Sequence, residues 1–286
     1  MSGLVLVTGA TGTVGRRLVA ELRSRGRRVR ALIHRSDATE ADEWVRGDLA
    51  DAESLAAAVS GTEAVIHLAA VTHARSEHTY RTVNVDGTAR LVEAATQEGV
   101  GRFIYVSTRA IDASGGAYSR SKADAERRVR QFAGSWVIVR LPEVYGAGGR
   151  EGVDRVIELV RAGRFVPVVG SGRDELCPVH IDDAVAALAA ALDSEAAARK
   201  TYTLAGSSVT SAELVRLCSA TLGTPARTLH VPAVAVAALS VLSRLLPLPL
   251  YPDQLARLRA PKPTLSPEAG SDLGFQPRAL ARGIQA

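Results

Sequence analysis

The chain has 286 residues, of which 47% are hydrophobic and 23% are charged, so its composition excludes a disordered polypeptide and allows one large α/β unit. The net charge of +5 comes mainly from arginines scattered through an alanine-rich sequence, and we therefore expect no nucleic-acid partner. Cys177 and Cys218 are too few for a disulfide framework or a zinc site, so we expect no metal.

Strand and helix patterns alternate through the first part of the chain. Short apolar, β-branched runs predict buried parallel strands at Leu4–Thr8, Val29–Ile33, Ala64–Leu68, Phe103–Ser107 and Trp136–Arg140. Helical patterns lie between them, at Val14–Arg25, Ser54–Val59, Tyr80–Gln97 and Tyr118–Phe132. The alternation predicts a doubly wound parallel α/β sheet, which binds ligands beyond the carboxyl ends of its strands.

A glycine-rich loop joins the first strand to the first helix. Its glycines allow a tight turn and a close approach of the backbone to a pyrophosphate, which the helix N-terminus attracts. The strand before the loop and the helix after it agree with this interpretation. The sequence therefore predicts a dinucleotide site formed by Gly9, Thr11, Gly12, Thr13, Val14 and Gly15.

The end of the second strand bears on the choice between NAD and NADP. NAD enzymes usually place an acid there to accept from the ribose hydroxyls, but Ile33 stands at this position. His34 and Arg35 follow, and Arg16 begins the first helix. These cations favour the 2′-phosphate of NADP(H), while the nearby Asp37 leaves NAD(H) possible.

Tyr118 and Lys122 are four residues apart and share one face of a predicted helix. An ammonium near a phenol favours the phenolate and lowers the tyrosine pKa, which suits a tyrosine that exchanges a proton with a carbonyl or an alcohol. Ser107 and Thr108 end the preceding strand, where a hydroxyl donor would polarise the same oxygen. We expect these residues to form the catalytic set.

After Pro142 the alternation loosens. Helices are predicted at Asp154–Ala162, Asp182–Leu192 and Ala212–Leu222, a strand at Thr201–Ala205, and a proline-rich helical tail from Thr224. We assign residues 1–160 and 180–206 to a dinucleotide-binding domain, and residues 161–179 and 207–286 to a small C-terminal substrate lobe. The apolar stretch Val231–Leu250 is interrupted by Arg244 and prolines, which predicts a buried helix and no membrane partner.

With these motifs placed, the chain resembles the extended short-chain dehydrogenase/reductases, which include nucleotide-sugar epimerases and dehydratases, hydroxysteroid dehydrogenases and dihydroflavonol reductases. The resemblance covers almost the whole chain, through the segments Thr8–Gly15, Gly47–Leu49, His67–Ala70, Asn84–Thr88, Val106–Thr108, Pro142–Gly146, Val179–Asp183 and Leu273–Phe275. It implies a Rossmann-type sheet, with cofactor contacts from Asp48, Leu49, Leu68, Ala69, Ala70, Pro142, Val144 and Lys122. It also implies that Asn84 supports Lys122 through a water, and that Thr108 takes the hydroxyl role.

Departures from the family pattern narrow the expected activity. Sugar dehydratases of this fold carry Asp-Glu after the catalytic Thr, whereas Arg109-Ala110 stands here, which disfavours a dehydratase. Leu176 stands where many sugar epimerases hold substrate phosphate with an arginine, although Arg173 is nearby. We therefore expect an NADPH-dependent reductase of a small, largely apolar carbonyl compound, with substrate contacts from Thr72, Arg109, Glu143 and Arg173.

Other functions remain open at this point. One is a nucleotide-sugar or other epimerase with tightly bound NAD; others are a non-redox step or non-catalytic sensing of NADP.

His67 lies in an apolar strand and is expected to be a core histidine. The absence of a leader before Leu4 predicts a cytoplasmic protein. The resemblance implies a homodimer through the helices around residues 80–97 and 118–132.

Overall fold

The computed structural model describes residues 3–35, 40–146, 151–243 and 251–285. Its strands are β1 (Leu4–Thr8), β2 (Arg28–Ile33), β3 (Glu43–Arg46), β4 (Thr62–His67), β5 (Arg102–Thr108), β6 (Ser135–Leu141), β7 (Val144–Tyr145), β8 (Phe165–Val169), β9 (Glu175–Leu176), β10 (Val179–His180), β11 (Lys200–Thr203), β12 (Val209–Thr210) and β13 (Arg227–Val231). Its helices are α1 (Thr13–Ser24), α2 (Ala52–Val59), α3 (Glu77–Tyr80), α4 (Thr88–Gln97), α5 (Gly116–Val129), α6 (Gly152–Arg161), α7 (Ile181–Asp193), α8 (Ser211–Leu222), α9 (Ala233–Leu242), α10 (Gln254–Arg259), α11 (Ala269–Leu273) and α12 (Leu280–Gln285). A π-helical segment, Arg81–Gly87, joins α3 to α4.

A seven-stranded parallel sheet has the order β11-β6-β5-β4-β1-β2-β3. Every residue of β1 is buried, because helices cover both faces of the sheet, and this explains why its sequence is a continuous apolar run. The predicted doubly wound α/β fold is confirmed.

Two hydrophobic layers hold the helices to the sheet. On one face, Leu18 of α1 and Leu188 of α7 are fully buried in a common cluster, which α11 also joins. On the other face, α2, α4 and α5 contribute a second cluster that includes Leu91 and Ala125. The helices of the two layers therefore cover opposite faces, as right-handed crossovers between parallel strands require.

The strand order reverses direction between β1 and β4, where the last residues of the two strands pair, Thr8 with His67. A crevice forms at such a switch point because the connections leave the two neighbouring strands toward opposite faces. β5 lies next to β4 and ends at Thr108, so its hydroxyl residues lie at the same edge of the sheet.

A third cluster forms the core of the C-terminal lobe. Val160 of α6, Leu214 of α8 and Ile284 of α12 are buried together, and β8 pairs in parallel with β13 beside them. The first proposed boundary, between residues 160 and 161, falls in the last turn of α6, whose apolar face packs against α8. β11 returns the chain to the main sheet beside β6.

The tail differs from its prediction in two ways. β13 is extended where a helical tail was predicted from Thr224, because pairing with β8 satisfies its backbone. α9 forms within the stretch predicted as a buried helix, but that burial was wrong, since Val234 is 81% exposed and Leu239 is 42% exposed. α9 is apolar apart from Ser240, and most of its described side chains are exposed or partly exposed. Among the described residues, no helix has the length and apolar content needed to cross a membrane.

Candidate active site

The loop after β1 requires glycine at two positions. Gly9 has a φ of +70°, and a Cβ there would lie 2.7 Å from the backbone nitrogen of Ala69. A Cβ at Gly15 would lie 2.1 Å from the carbonyl oxygen of Gly9. Both distances are far below van der Waals contact, so the close approach of β1, β4 and α1 depends on these glycines.

The first turn of α1 faces solvent beyond this loop. Gly12 precedes the helix without a side-chain cap, and the N–H of Arg16 is the first to donate within the helix, to Gly12 at 2.9 Å. The N–H groups of Thr13, Val14 and Gly15 therefore lie at an open helix end, with the positive end of the dipole. This arrangement fits the pyrophosphate of a dinucleotide.

The cations expected near a 2′-phosphate are exposed at the end of β2. His34 lies 3.2 Å from the carboxylate of Asp48, whose other oxygen accepts from the N–H of Ala50. Arg35 is also exposed, and Arg16 donates to the carbonyl of Thr11 at 2.8 Å. His34, Arg35 and Asp48 therefore lie at or beside the end of β2, while Arg16 contacts the glycine loop. Asp37, the one candidate that would favour NAD, lies outside the described residues.

His67 is fully buried between two threonines. Its Nδ1 lies 2.6 Å from the Thr8 hydroxyl, and its Nε2 lies 2.9 Å from the Thr88 hydroxyl. Burial, helped by the charge of Lys122, lowers the His67 pKa to about 3, so the ring is neutral at working pH. The prediction of a core histidine is confirmed. Leu68, Ala69 and Ala70 continue from it, partly exposed, at the carboxyl edge of the sheet.

The hydroxyls at the end of β5 point to different partners. Ser107 donates to the buried carboxylate of Glu126 at 2.8 Å, and Glu126 is held in turn by Arg140 and Arg130. The Thr108 hydroxyl accepts from the N–H of Ala110 at 3.1 Å, and it lies close enough to Tyr118 to lower the pKa of the phenol. Ser107 is therefore committed to an internal ion-pair network, and Thr108 is the hydroxyl at the candidate catalytic position.

Tyr118 is buried under residues of the C-terminal lobe. The guanidinium of Arg257 lies 4.5 Å from its ring centroid, and the Tyr80 ring packs edge-on at 5.8 Å. The Asp253 carboxylate accepts from the Tyr118 backbone N–H at 3.1 Å. Burial raises the pKa of Tyr118, while the Arg257 charge and the nearby Thr108 hydroxyl oppose this rise.

Lys122 lies one turn further along α5. Its Nζ donates to the carbonyl of Val106 at 2.8 Å and lies 4.1 Å from the centroid of the Tyr105 ring. Burial lowers the Lys122 pKa to about 7, against the opposing charge of Glu126. The expectation that Lys122 lowers the Tyr118 pKa is corrected here, because the ammonium is turned toward Val106 and the cation over Tyr118 is Arg257.

Asn84 lies on the π-helical segment and bridges two parts of the site. Its Oδ1 accepts from the N–H of Val71 at 2.8 Å, and its Nδ2 donates to the Val71 carbonyl and to the Ser121 hydroxyl, each at 3.0 Å. It therefore ties the loop after β4 to α5, next to Lys122. A π-helical insertion in an α-helix often marks a functional position.

The candidate substrate contacts fall into two groups. The carbonyl of Thr72 accepts from Arg257 at 2.9 Å, so this residue lies under α10. Arg109 and Arg173 line a cavity beside the end of β5. Glu143, between Pro142 and Val144, accepts from the N–H of Cys177 at 3.3 Å, which turns its carboxylate toward the lobe.

Sequence reasoning missed the residues that cover Tyr118. Asp253 and Arg257 follow Tyr118 by well over a hundred positions, in a part of the tail that carries no recognisable motif. The only signal in the sequence is their spacing of four residues, which places an acid and a base on one helix face. Since many exposed helices share that spacing, it does not identify a site.

Comparison with known proteins identifies relatives of the chain. A model of the NAD dependent epimerase/dehydratase family matches residues 5–205. A ceramide reductase of Caulobacter vibrioides is 36% identical over 194 residues, which cover 66% of this chain and only 60% of that protein. A 2-alkyl-3-oxoalkanoate reductase of Stenotrophomonas maltophilia is 31% identical over 253 residues, covering 77% of this chain and 76% of that protein.

Solved structures resemble the chain over nearly its whole length. The structure of MoeE5 in complex with UDP-glucuronic acid and NAD superposes with a TM-score of 0.82 and 27% identity. The superposition covers 99% of this chain and 97% of that chain. The relatives therefore include both reductases and a protein solved with a nucleotide sugar.

Proposed function

The chain belongs to the NAD-dependent epimerase/dehydratase family, within the extended short-chain dehydrogenase/reductases, and on that premise we propose that it is an NADP(H)-dependent oxidoreductase of a small, largely apolar carbonyl compound. The observation that carries the proposal is that Thr108, at the carboxyl end of β5, lies close enough to the buried Tyr118 to lower the pKa of its phenol. Two hydroxyls that face the same position can both donate to a carbonyl oxygen there and stabilise the negative charge that develops on it during reduction.

The choice of NADP(H) rests on charge at the end of β2. His34 and Arg35 are exposed there, and Ile33 offers no carboxylate to accept from a ribose hydroxyl. Arginine pairs well with a phosphate through two parallel hydrogen bonds. The glycine loop Gly9–Gly15 would bind the pyrophosphate, and Lys122 would hold the nicotinamide ribose.

When bound, the nicotinamide supplies a hydride in reduction or accepts one in oxidation. Thr108 and Tyr118 orient the substrate oxygen, and as negative charge develops on it, Tyr118 gives up its phenolic proton to form the alcohol. The phenolate that remains is stabilised by the Arg257 cation and by the nearby Thr108 hydroxyl, both of which lower the Tyr118 pKa. A proton from solvent then restores Tyr118, and the reverse sequence oxidises an alcohol.

The largely apolar substrate is supported by the relatives and by the lobe. A ceramide reductase and a 2-alkyl-3-oxoalkanoate reductase both have names that describe reduction of lipid-like compounds. In this chain, the lobe residues after position 206 are rich in Ala, Leu, Val and Pro. An apolar pocket lined by a few polar groups is the usual form of a small-molecule site.

An epimerase with tightly bound NAD is the second candidate. It is favoured by the likeness to MoeE5, whose structure holds UDP-glucuronic acid and NAD. In such an enzyme the hydride leaves and returns within one turnover, so the cofactor need not exchange.

The family also leads us to propose that the protein is cytoplasmic and forms a homodimer through α4 and α5. Sedimentation velocity would test the dimer.

The decisive experiment is a titration of purified protein with NADPH and with NADH, after denaturing a sample to measure any cofactor that co-purifies. Tighter and exchangeable binding of NADPH, followed by NADPH consumption with a panel of ketones, is the expected result. Stoichiometric NAD that survives dialysis and is not consumed would instead overturn the reductase and make the epimerase the leading function.

A further inference from the structure

A basic cavity of about 350 Å³ lies beside the candidate catalytic hydroxyls. Its lining includes Arg109, the residue after Thr108, together with the C-terminal end of α10 and Lys262. The same helix places Arg257 over Tyr118. The cavity and Tyr118 therefore share α10 as a wall, and a molecule with its reacting oxygen at Thr108 can extend into the cavity.

Positive charge exceeds negative charge in this cavity. Its charged lining consists of Arg109, Arg173, Arg259 and Lys262 against Asp174 and Glu175. The arginines meet the two carboxylates only at long distances, since Arg109 approaches Glu175 at 3.5 Å and Arg259 approaches Asp174 at 3.7 Å. Glu175 also accepts from the Cys177 thiol at 3.3 Å. Each pair has one well-exposed partner, Glu175 or Arg259, so solvent weakens the pair and an incoming anion can displace it.

Arg109 is the unusual member of the set. Only 7% of the residue is exposed, and its Nε has no hydrogen-bond partner among the described residues. Its charged contact is the long one to Glu175, whose side chain is 55% exposed. A guanidinium is always charged and carries five donors, and a buried donor without an acceptor is costly. The geometry thus points to an acceptor brought by a ligand.

Lys262 adds a second, half-buried cation. Its Nζ donates to the carbonyls of Arg257 and Leu258, which holds the ammonium at the end of α10. Burial lowers the Lys262 pKa, Arg109 lowers it further, and Glu143 opposes both. An anion between Arg109 and Lys262 would stabilise both charges at once.

We propose that this cavity is an anion subsite, in which Arg109 and Lys262 bind an oxyanion, a carboxylate or a phosphate, on the apolar carbonyl substrate. This inference rests on the proposed function, because it places the substrate's ketone at Thr108 and Tyr118. It makes the substrate a keto acid or an equivalent anionic ketone. Arginine binds such oxyanions through two parallel hydrogen bonds, and lysine adds a point charge.

The test compares anionic ketones with matched neutral ones. Levulinate and its longer-chain homologues are assayed against their methyl esters, and a methyl ketone of equal length serves as a further neutral substrate. We expect kcat/KM to be at least about 10-fold higher for the acids than for the esters, as a charge-assisted hydrogen bond provides. Decanoate and decyl phosphate should inhibit far more strongly than decanol, and their ranking identifies the oxyanion.

Variants tie that preference to the cavity. Arg109→Met should bring the acid-to-ester ratio of kcat/KM close to one. Arg173 is exposed, so its replacement is less apt to disturb folding, and Arg173→Met should lower the ratio in part. Arg161→Met, which removes an exposed arginine on α6, should leave the ratio as it is.

The outcomes separate this inference from the proposed function. Turnover of neutral ketones with no preference for acids, or an acid preference that survives Arg109→Met, overturns the anion subsite and leaves the reductase standing. Absence of turnover with every ketone, together with non-exchanging NAD, overturns the proposed function itself. Inhibition by decanol equal to that by decanoate and decyl phosphate also excludes the subsite.

Discussion

The guanidinium of Arg257 lies 4.5 Å from the ring centroid of Tyr118, although the two residues belong to different lobes. Arg257 also donates to the carbonyl of Thr72, which fixes its position over the ring. Its charge lowers the Tyr118 pKa against the effect of burial. The lobe therefore influences the pKa of the proposed acid–base residue as well as covering the candidate site.

Replacing Arg257 should change how activity depends on pH. In the proposed mechanism Tyr118 acts as a base in alcohol oxidation, so activity should fall as pH drops below its pKa. Arg257→Leu removes a cation that lowers this pKa, so the acidic limb of kcat/KM should move to higher pH by about one unit, the scale of a cation–π interaction. Arg257→Lys keeps the charge and should move the limb less. An identical pH profile in Arg257→Leu would show that the contact does not act on Tyr118.

Tyr118→Phe should separate cofactor binding from catalysis. The variant loses the phenolic proton but keeps the ring that packs against Tyr80, so the fold and NADPH affinity should be retained. We expect turnover to fall by about 100- to 10,000-fold, the range for a general acid. Tyr80→Phe, which loses a hydroxyl bonded to the Ala74 N–H, is the matched control and should lose less than about 10-fold. Full activity in Tyr118→Phe would overturn the mechanism.

Local pattern predicted the central sheet well. β1 was predicted with its observed bounds, and β2, β4, β5 and β6 within two residues at either end, because each is a short apolar run buried on both faces. β3 was not predicted, since Glu43–Arg46 alternates polar and apolar residues at the edge of the sheet. The tail was harder, because pairing with β8 decides the extended conformation of β13.

Some residues of the candidate site could be predicted from local sequence patterns, and others could not. The glycine loop, Thr108, Tyr118 and Lys122 follow from motifs, because the chemistry requires those residue types at short spacings. The direction of the Lys122 ammonium does not follow, since it depends on the Val106 carbonyl and on the Tyr105 ring. Arg257 reaches Tyr118 only through the packing of the lobe, which no local pattern encodes.

Gly15→Ala should impair both the fold and the cofactor site. The added Cβ would lie 2.1 Å from the Gly9 carbonyl oxygen, so the loop must move away from α1. We expect a loss of about 1–3 kcal/mol in the free energy of unfolding, typical of overpacking, and a large loss of NADPH affinity. Gly101→Ala, where the Cβ would meet the Glu63 carbonyl at 3.6 Å, should be nearly neutral. Urea unfolding and NADPH titration of both variants would check this, and unchanged affinity in Gly15→Ala would contradict it.

The buried His67 should make stability fall in acid. Its pKa is about 3 in the folded protein, against about 6.5 in the unfolded chain, so between these values the unfolded chain binds the extra proton. The free energy of unfolding should therefore decrease as pH falls from about 6.5 toward 3, by up to about 1.4 kcal/mol per pH unit from this group. Carboxylates add to the total slope, so the measurement is urea unfolding of the wild type and of His67→Gln across this range. Equal slopes in the two proteins would mean that His67 does not titrate as its burial requires.

Arg35 offers the most direct test of cofactor choice. It is exposed at the end of β2, beside His34, where a 2′-phosphate would lie if the cofactor is NADP(H). Arg35→Ala should weaken NADPH binding by about 10-fold, the size of one charge-assisted hydrogen bond, and should leave NADH binding unchanged because NADH has no phosphate there. Arg28→Ala, at the opposite end of the same strand, is the matched control and should alter neither affinity. Equal weakening of both cofactors would assign Arg35 to the shared adenosine contacts. If Arg35→Ala weakened the binding of neither cofactor, the charge at the end of β2 would no longer be a reason to prefer NADP(H). An epimerase that uses NAD would then become the leading hypothesis.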